Sequence, residues 1–276
     1  MQLKSIIKKT AIEKGIAPQL SMQYYVLERF LDRLSRSAYG HCFILKGGLL
    51  ISTLVGLSAR TTMDMDVTVR GFDVSESVVK TVFEDICRMN SDDDFEFGVV
   101  RLSQIREGAD YPGIRVALSA IYGKVRTLFT VDVTTGDAIT PKEMVYKFPL
   151  VFDEGYIRIL SYNLETILAE KLQTILSRGV ANTRMRDFYD IYVLGTIYAN
   201  EIDFDILKRA ILNTSMKRNK PDTLVNAKSV IDIIKSDSTM NKLWESYRFE
   251  FGYANPIEFE MTCRVIAFLV EKIADN

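Results

Sequence analysis

The chain has 276 residues, 47% hydrophobic and 26% charged, with 15 Gly and 6 Pro; this is a folded protein of one large or two modest domains, and collagenous, linker-like and disordered chains are excluded. Thirty-five Lys and Arg against 36 Asp and Glu leave a net charge of −1, so no global field draws the chain to nucleic acid or membrane, and any such contact must be a local patch. Three scattered cysteines and a single histidine, His41, exclude a disulfide framework and any scheme needing two imidazoles, and point to a reducing compartment, the cytoplasm.

Residues 1–38 read as helices, with Ile6, Ile7 and Ile12 in one group and Tyr24, Leu27, Leu31 and Leu34 at helical spacing in the next, for which Ser21 is the predicted N-cap. No apolar run follows the N-terminal lysines, and the longest apolar stretch, residues 42–57, is broken by Lys46, Gly47 and Gly48, so neither a signal peptide nor a membrane span is predicted. The order there is strand (residues 41–45), tight glycine turn, helix (residues 49–57). From Met63 the pattern alternates strictly, Met63, Met65, Val67 and Val69 on one face and Asp64, Asp66, Thr68 and Arg70 on the other, which is a strand with an acidic face. An amphipathic helix over residues 75–90, an acidic loop at residues 91–94 and three β-rich runs (residues 95–102, 113–122 and 126–135) follow, and beyond about residue 160 only helical patterns remain.

Two aspartates separated by one strand residue stand on one face, roughly 7 Å apart between Cα atoms, and can grip one divalent ion through hard oxygens. Asp132, on the polar face of a later strand, joins Asp64 and Asp66 if the two strands are neighbours; three carboxylates suit two Mg²⁺ ions. The plain alternative is a solvent-facing strand edge. Lys46-Gly47-Gly48 either presents backbone N–H groups of a helix N-terminus to a phosphate or is merely a turn needing positive φ. Arg60, Thr61 and Thr62 can add a guanidinium and hydroxyls to a triphosphate, although such a run is more often a solvated strand entry.

Lys171 falls inside the apolar stripe Leu164, Ile167, Leu168, Leu172, Ile175 and Leu176, so either its stem snorkels or its ammonium meets an anion, a nucleotide phosphate or the carboxylates above. Asp187 and Asp190 share the face of a helix that is apolar through Ile197; they can serve the helix dipole and pair with Arg184 or Arg186, or act in a site. His41 and the Met and aromatic residues of 188–198 and 244–268 read as structural. Between residues 171 and 220, nine Lys and Arg stand against five acids, a local basic patch able to hold an RNA backbone, though a solvated face is the commoner cause.

Taken in order, Lys46-Gly47-Gly48, Arg60-Thr61-Thr62-Met63-Asp64-Met65-Asp66, Glu170-Lys171-Leu172 through Arg178-Gly179, and Arg186-Asp187-Phe188-Tyr189-Asp190 resemble the motifs of AbiEii-type nucleotidyltransferases, the toxins of type IV toxin-antitoxin and abortive-infection systems. Gly48 stands where the wider superfamily often has Ser. The resemblance implies an α+β fold: a DNA polymerase β-like nucleotidyltransferase core, a mixed sheet with flanking helices over residues 1–160, then a helical domain over residues 161–276 that completes the active-site cleft. It further implies an NTP substrate with Mg²⁺ (or Mn²⁺), metal on Asp64 and Asp66, Lys171 on the triphosphate, and Asp187 or Asp190 as the last acid. The reaction is then transfer of a nucleotide to an acceptor hydroxyl, with the tRNA 3′ end as first acceptor, and an antitoxin encoded nearby is the corresponding partner. A small-molecule or protein acceptor, or a silent nucleotide- or partner-binding module, is the alternative.

Overall fold

A computed structural model describes residues 3–91, 93–105 and 113–275; Asp92, part of the acidic loop, lies outside the described residues. The chain forms two compact units, residues 1–137 with 144–161, and residues 138–143 with 162–276.

The first unit opens with α1 (Leu3–Lys14) and α2 (Pro18–Arg36). Ser21 is not the N-cap: Pro18 starts α2, where its missing N–H costs nothing and its fixed φ suits the helix, and Ser21 lies buried inside the helix, its hydroxyl donating to the Ile7 carbonyl at 3.1 Å. β1 (Phe43–Lys46) turns straight into α3 (Gly47–Val55), then come β2 (Asp64–Val69), α4 (Glu76–Cys87), β3 (Glu96–Ile105), β4 (Gly113–Tyr122), β5 (Val125–Thr135), β6 (Met144–Pro149) and β7 (Tyr156–Ser161). The seven strands form one mixed sheet in the order β3-β4-β5-β2-β1-β7-β6, parallel at β2/β5 and β1/β7 and antiparallel elsewhere. β6 and β7 have no counterpart in the sequence reading.

Alternation assigns the faces of this sheet. Met65, Val67 and Val69 on β2 and Phe129, Val131 and Val133 on β5 are buried, as are Leu27, Phe30, Leu31 and Leu34 of α2 and Val79, Phe83 and Ile86 of α4. Phe30 joins helix to sheet, its ring 6.0 Å from Phe83, 5.4 Å from Phe97 and 5.2 Å from Phe129. Each such side chain contributes about 1.5–3 kcal/mol of burial, which holds the polar positions of the same strands in fixed register.

The second unit is helical: α5 (Leu164–Arg178), α6 (Met185–Ile197), α7 (Phe204–Lys217), α8 (Ala227–Ser236), α9 (Ser238–Glu250) and α10 (Phe259–Asp275). Asn163 caps α5, accepting from Thr166 N at 2.8 Å. Gly195 lets α6 approach α10, since a Cβ there would sit 2.7 Å from Val265 Cγ1. Trp244 is fully buried and donates to the Ile257 carbonyl at 2.9 Å. The aromatic residues of this region are not all core: Phe249 is 91% exposed, because it lies on the side of α9 away from Met240, Trp244 and Tyr247. Among the described residues, no helix is long and apolar enough to cross a membrane.

Candidate active site

At the end of β1 the chain reverses into α3 through Gly47, whose φ of +66° side chains rarely adopt. A Cβ on Gly47 would also lie 2.1 Å from Asp66 Oδ2, so the carboxylate of β2 packs directly on the backbone of the turn. The next amide, Gly48 N–H, points at the same oxygen at 3.4 Å. Gly47→Ala therefore meets a left-handed conformation and a collision at once; a loss of about 2 kcal/mol or more is expected, read as a lowered midpoint in thermal unfolding followed by circular dichroism. An unshifted midpoint would mean that Asp66 does not rest on this turn.

Strand register then builds a line of charge. Lys46 on β1 is the Cα partner of Asp66 on β2, Asp66 of Asp132 on β5, and Asp132 of Arg115 on β4. Paired residues share a face of the sheet, so four adjacent strands present Lys46, Asp66, Asp132 and Arg115 side by side, with Asp64 on the same face two residues from Asp66. Lys46 is 5% exposed and its ammonium pairs with Asp137, whose carboxylate also accepts from Thr134 Oγ1 at 2.9 Å. Arg115 grips Asp132 with two bonds of 2.7 Å, from Nε and from one terminal nitrogen. The Asp66 carboxyl is pushed up from the usual carboxylate range, first by burial and then by Asp132 and Asp64, against the opposing pull of Lys46 and the Gly48 N–H.

Asp137 and Arg115 are the residues that sequence reasoning missed. Alternation with the buried Ile114 and Val116 puts Arg115 on a polar face, but nothing local tells which strand lies beside β4. The expected trio Asp64, Asp66 and Asp132 is brought to one face, yet among the described residues no three acidic, His or Cys side chains converge as a metal-holding group; both Asp132 oxygens are taken by Arg115. Asp64 and Asp66 still fit a hard divalent cation by donor chemistry: they supply only carboxylate oxygens, from one face of β2.

Arg60, between α3 and β2, is 3% exposed. A Cβ at Gly48 would meet Thr62 Oγ1 at 2.7 Å and the two terminal nitrogens of Arg60 at 3.1 and 3.2 Å, so a serine here would have to displace both side chains. Thr61 and Thr62 are buried too, and Thr62 donates to the Asp64 carbonyl at 3.2 Å. These residues brace the entry to β2.

In the helical unit, Lys171 of α5 pairs with Asp187 at 2.9 Å and with Asp190 at 2.8 Å, both on α6. The pairing of these acids with Arg184 or Arg186 is thus corrected for Asp187: its partner is Lys171, while the Arg186 guanidinium lies 4.9 Å from the centre of the Phe251 ring. Asp190 is completely buried. The two carboxylates hold the Lys171 ammonium strongly protonated in spite of burial. The local basic patch is smaller than its count, since Lys171 is neutralised in this way and Arg218 binds Glu170, Gln173 and Thr174.

The family described as nucleotidyl transferase AbiEii toxin of type IV toxin-antitoxin systems matches residues 29–263. The chain belongs to this AbiEii family. It is a nucleotidyltransferase of a toxin family, and its mixed sheet with flanking helices followed by a helical unit is the expected α+β architecture. Among solved structures, the AbiEii chain is similar to JHP933 from Helicobacter pylori, with 15% identity and a TM-score of 0.49 over 94% of this chain and 93% of that one. A second H. pylori structure gives 14% identity and 0.48 over 92% and 94%. An antigenic nucleotidyltransferase-like protein from Paracoccidioides brasiliensis gives 18% identity and 0.39 over 77% and 93%. No curated protein matches the chain.

Proposed function

We propose that this AbiEii nucleotidyltransferase moves a nucleotide from an NTP to a hydroxyl of RNA, with the tRNA 3′ end as first acceptor, in the cytoplasm and under the control of a cognate antitoxin. The observation that carries the reading is the row Lys46, Asp66, Asp132, Arg115 beside the Gly47-Gly48 turn. Asp64 and Asp66 are the residues that would hold a divalent cation, and Asp132 would add a third carboxylate only if Arg115 released it. Bound there, Mg²⁺ or Mn²⁺ would supply charge neutralisation at the phosphate and lower the pKa of the attacking hydroxyl.

The chain's own residues supply the rest. The Gly47-Gly48 turn carries no side chain of its own, and a phosphate oxygen reaching the backbone N–H groups at the start of α3 would do so beside the Asp66 carboxylate that the Gly48 N–H faces. Lys46, fixed by Asp137, keeps a buried positive charge beside Asp66 and limits repulsion among the acids. Arg60, whose guanidinium lies near Gly48 and donates to the Thr61 carbonyl, ties this turn to the entry of β2. Lys171 already faces two carboxylates, so a phosphate contact from it needs one acid to give way; Asp190, the deeper of the two, keeps Lys171 in place.

Expression in a bacterial host is expected to arrest growth, Asp64→Ala to relieve the arrest, and RNA rather than protein to carry label when extract is supplied with radiolabelled NTPs. Arrest that survives Asp64→Ala, or label confined to protein, would refute the RNA-directed reading. Reversal of Lys217 and Lys220 tests the basic patch separately: labelling of RNA should fall several-fold at low salt, and the difference from the natural chain should shrink as salt rises.

A further inference from the structure

Arg115 is an odd neighbour for an acid in such a site. It stands at the end of the charge row, spends two nitrogens on Asp132, and yet its side chain is 45% exposed, whereas Lys46 at the other end is buried and locked to Asp137. The two cations are therefore not equivalent. Lys46 is itself buried and has no room to leave Asp137, but Arg115 can swing into solvent, and the part-buried Asp132 it uncovers then needs another cation. Its fork also matches phosphate oxygens as well as carboxylate.

We propose that Arg115 is an exchangeable counter-ion: it covers Asp132 while the site is empty and passes to the triphosphate when the nucleotide arrives, leaving Asp132 to face the incoming cation with Asp64 and Asp66. This rests on the reading of Asp64 and Asp66 as the cation-facing pair. The exchange is a swap of partners: without nucleotide, Arg115 covers Asp132 while Lys46 stays paired with Asp137; with nucleotide, the polyanion takes the guanidinium as the cation takes the carboxylate. It also makes Mn²⁺ or Mg²⁺ a poor ligand on its own and a good one only in company with a triphosphate.

The test measures two affinities in the whole chain that should move in opposite directions. Binding of Mn²⁺ alone is followed by the electron paramagnetic resonance of the free ion, and binding of an equimolar mixture of the four α,β-methylene NTPs in the presence of Mn²⁺ by calorimetry. Arg115→Gln should bind Mn²⁺ about fivefold more tightly than the natural chain and the nucleotides about tenfold more weakly. Arg115→Lys, which keeps the charge, should hold nucleotide affinity within about threefold. In Arg115→Gln/Asp132→Asn the gain in Mn²⁺ affinity should vanish, because the freed carboxylate is gone. Mn²⁺ affinity that is unchanged or lower in Arg115→Gln, or nucleotide affinity that does not fall, overturns the exchange. Asp66→Asn in the same Mn²⁺ titration separates the two readings: if it abolishes Mn²⁺ binding while Arg115→Gln has no effect, only the exchange is refuted, and if it leaves Mn²⁺ binding intact, the cation-facing pair is refuted with it.

Discussion

Asp66→Asn is expected to lower nucleotidyl transfer by roughly a thousandfold, about 4 kcal/mol of transition-state stabilisation, while the sheet remains folded. Asp66 lies at the centre of the row, between Lys46 and Asp132, and against the Gly47 turn, so no other carboxylate can take its position. The stability effect runs the other way. Burial and the neighbouring Asp132 and Asp64 raise the Asp66 carboxyl, so the folded chain holds that proton more tightly than the unfolded chain. Ionised Asp66 therefore costs stability above its unfolded value, near pH 3.9, and the cost fades as pH falls towards that value. In cation-free buffer at pH 7 the Asn variant should melt at or above the temperature of the natural chain, and the difference should shrink as the pH is lowered to about 4. A clearly lower melting point at pH 7 would make Asp66 a structural residue.

Lys171→Met is the second large effect, and it falls on stability as well as on activity. From the sequence, an inward lysine whose apolar stem is kept should be replaceable by Met without loss of fold. The structure changes that expectation, because the ammonium is the shared partner of Asp187 and of the fully buried Asp190. Removal leaves a buried carboxylate without its cation, a loss of about 3–5 kcal/mol. Because the folded-state pKa of Lys171 is raised, its contribution is complete below about pH 10.4, the ordinary lysine value, and is lost only as pH rises through the folded one. Trp244, the single tryptophan, is buried in the same unit, so its fluorescence during urea unfolding reports the change directly. Lys171→Met/Asp190→Asn should recover a substantial part of the loss. An unchanged midpoint in the single variant would show that the group is solvated and energetically slack.

Much of this architecture is legible in the chain itself. The alternation from Met63 to Arg70 places Asp64 and Asp66 on one face, and Lys46-Gly47-Gly48 marks the strand-to-helix turn. What one sequence cannot carry is register between distant strands. Asp132 lies beside Asp66 only because β5 runs parallel to β2, after a helix and two further strands intervene, and Arg115 enters only because β4 pairs next to β5. β6 escapes notice for a different reason: Met144 and Val145 are exposed apolar residues and Pro149 closes the strand, so this edge of the sheet does not show the pattern of a buried strand. β7 does carry an alternation, Ile157 and Ile159 buried on either side of the exposed Arg158, but it is only six residues long. Lys171 is legible as anomalous, but the identity of its partners depends on how α5 packs against α6.

The central claim, that the charge row on β1, β2, β5 and β4 serves transfer of a nucleotide, is tested most directly by the position of the label. Purified protein is incubated with total RNA, Mg²⁺ and each NTP carrying ³²P at either the α or the γ phosphorus. The account predicts that RNA gains the α label and not the γ label from at least one NTP, that pyrophosphate appears in equal amount, and that Asp66→Asn forms neither product. Transfer of the γ label, or α labelling that persists in Asp66→Asn, would contradict it.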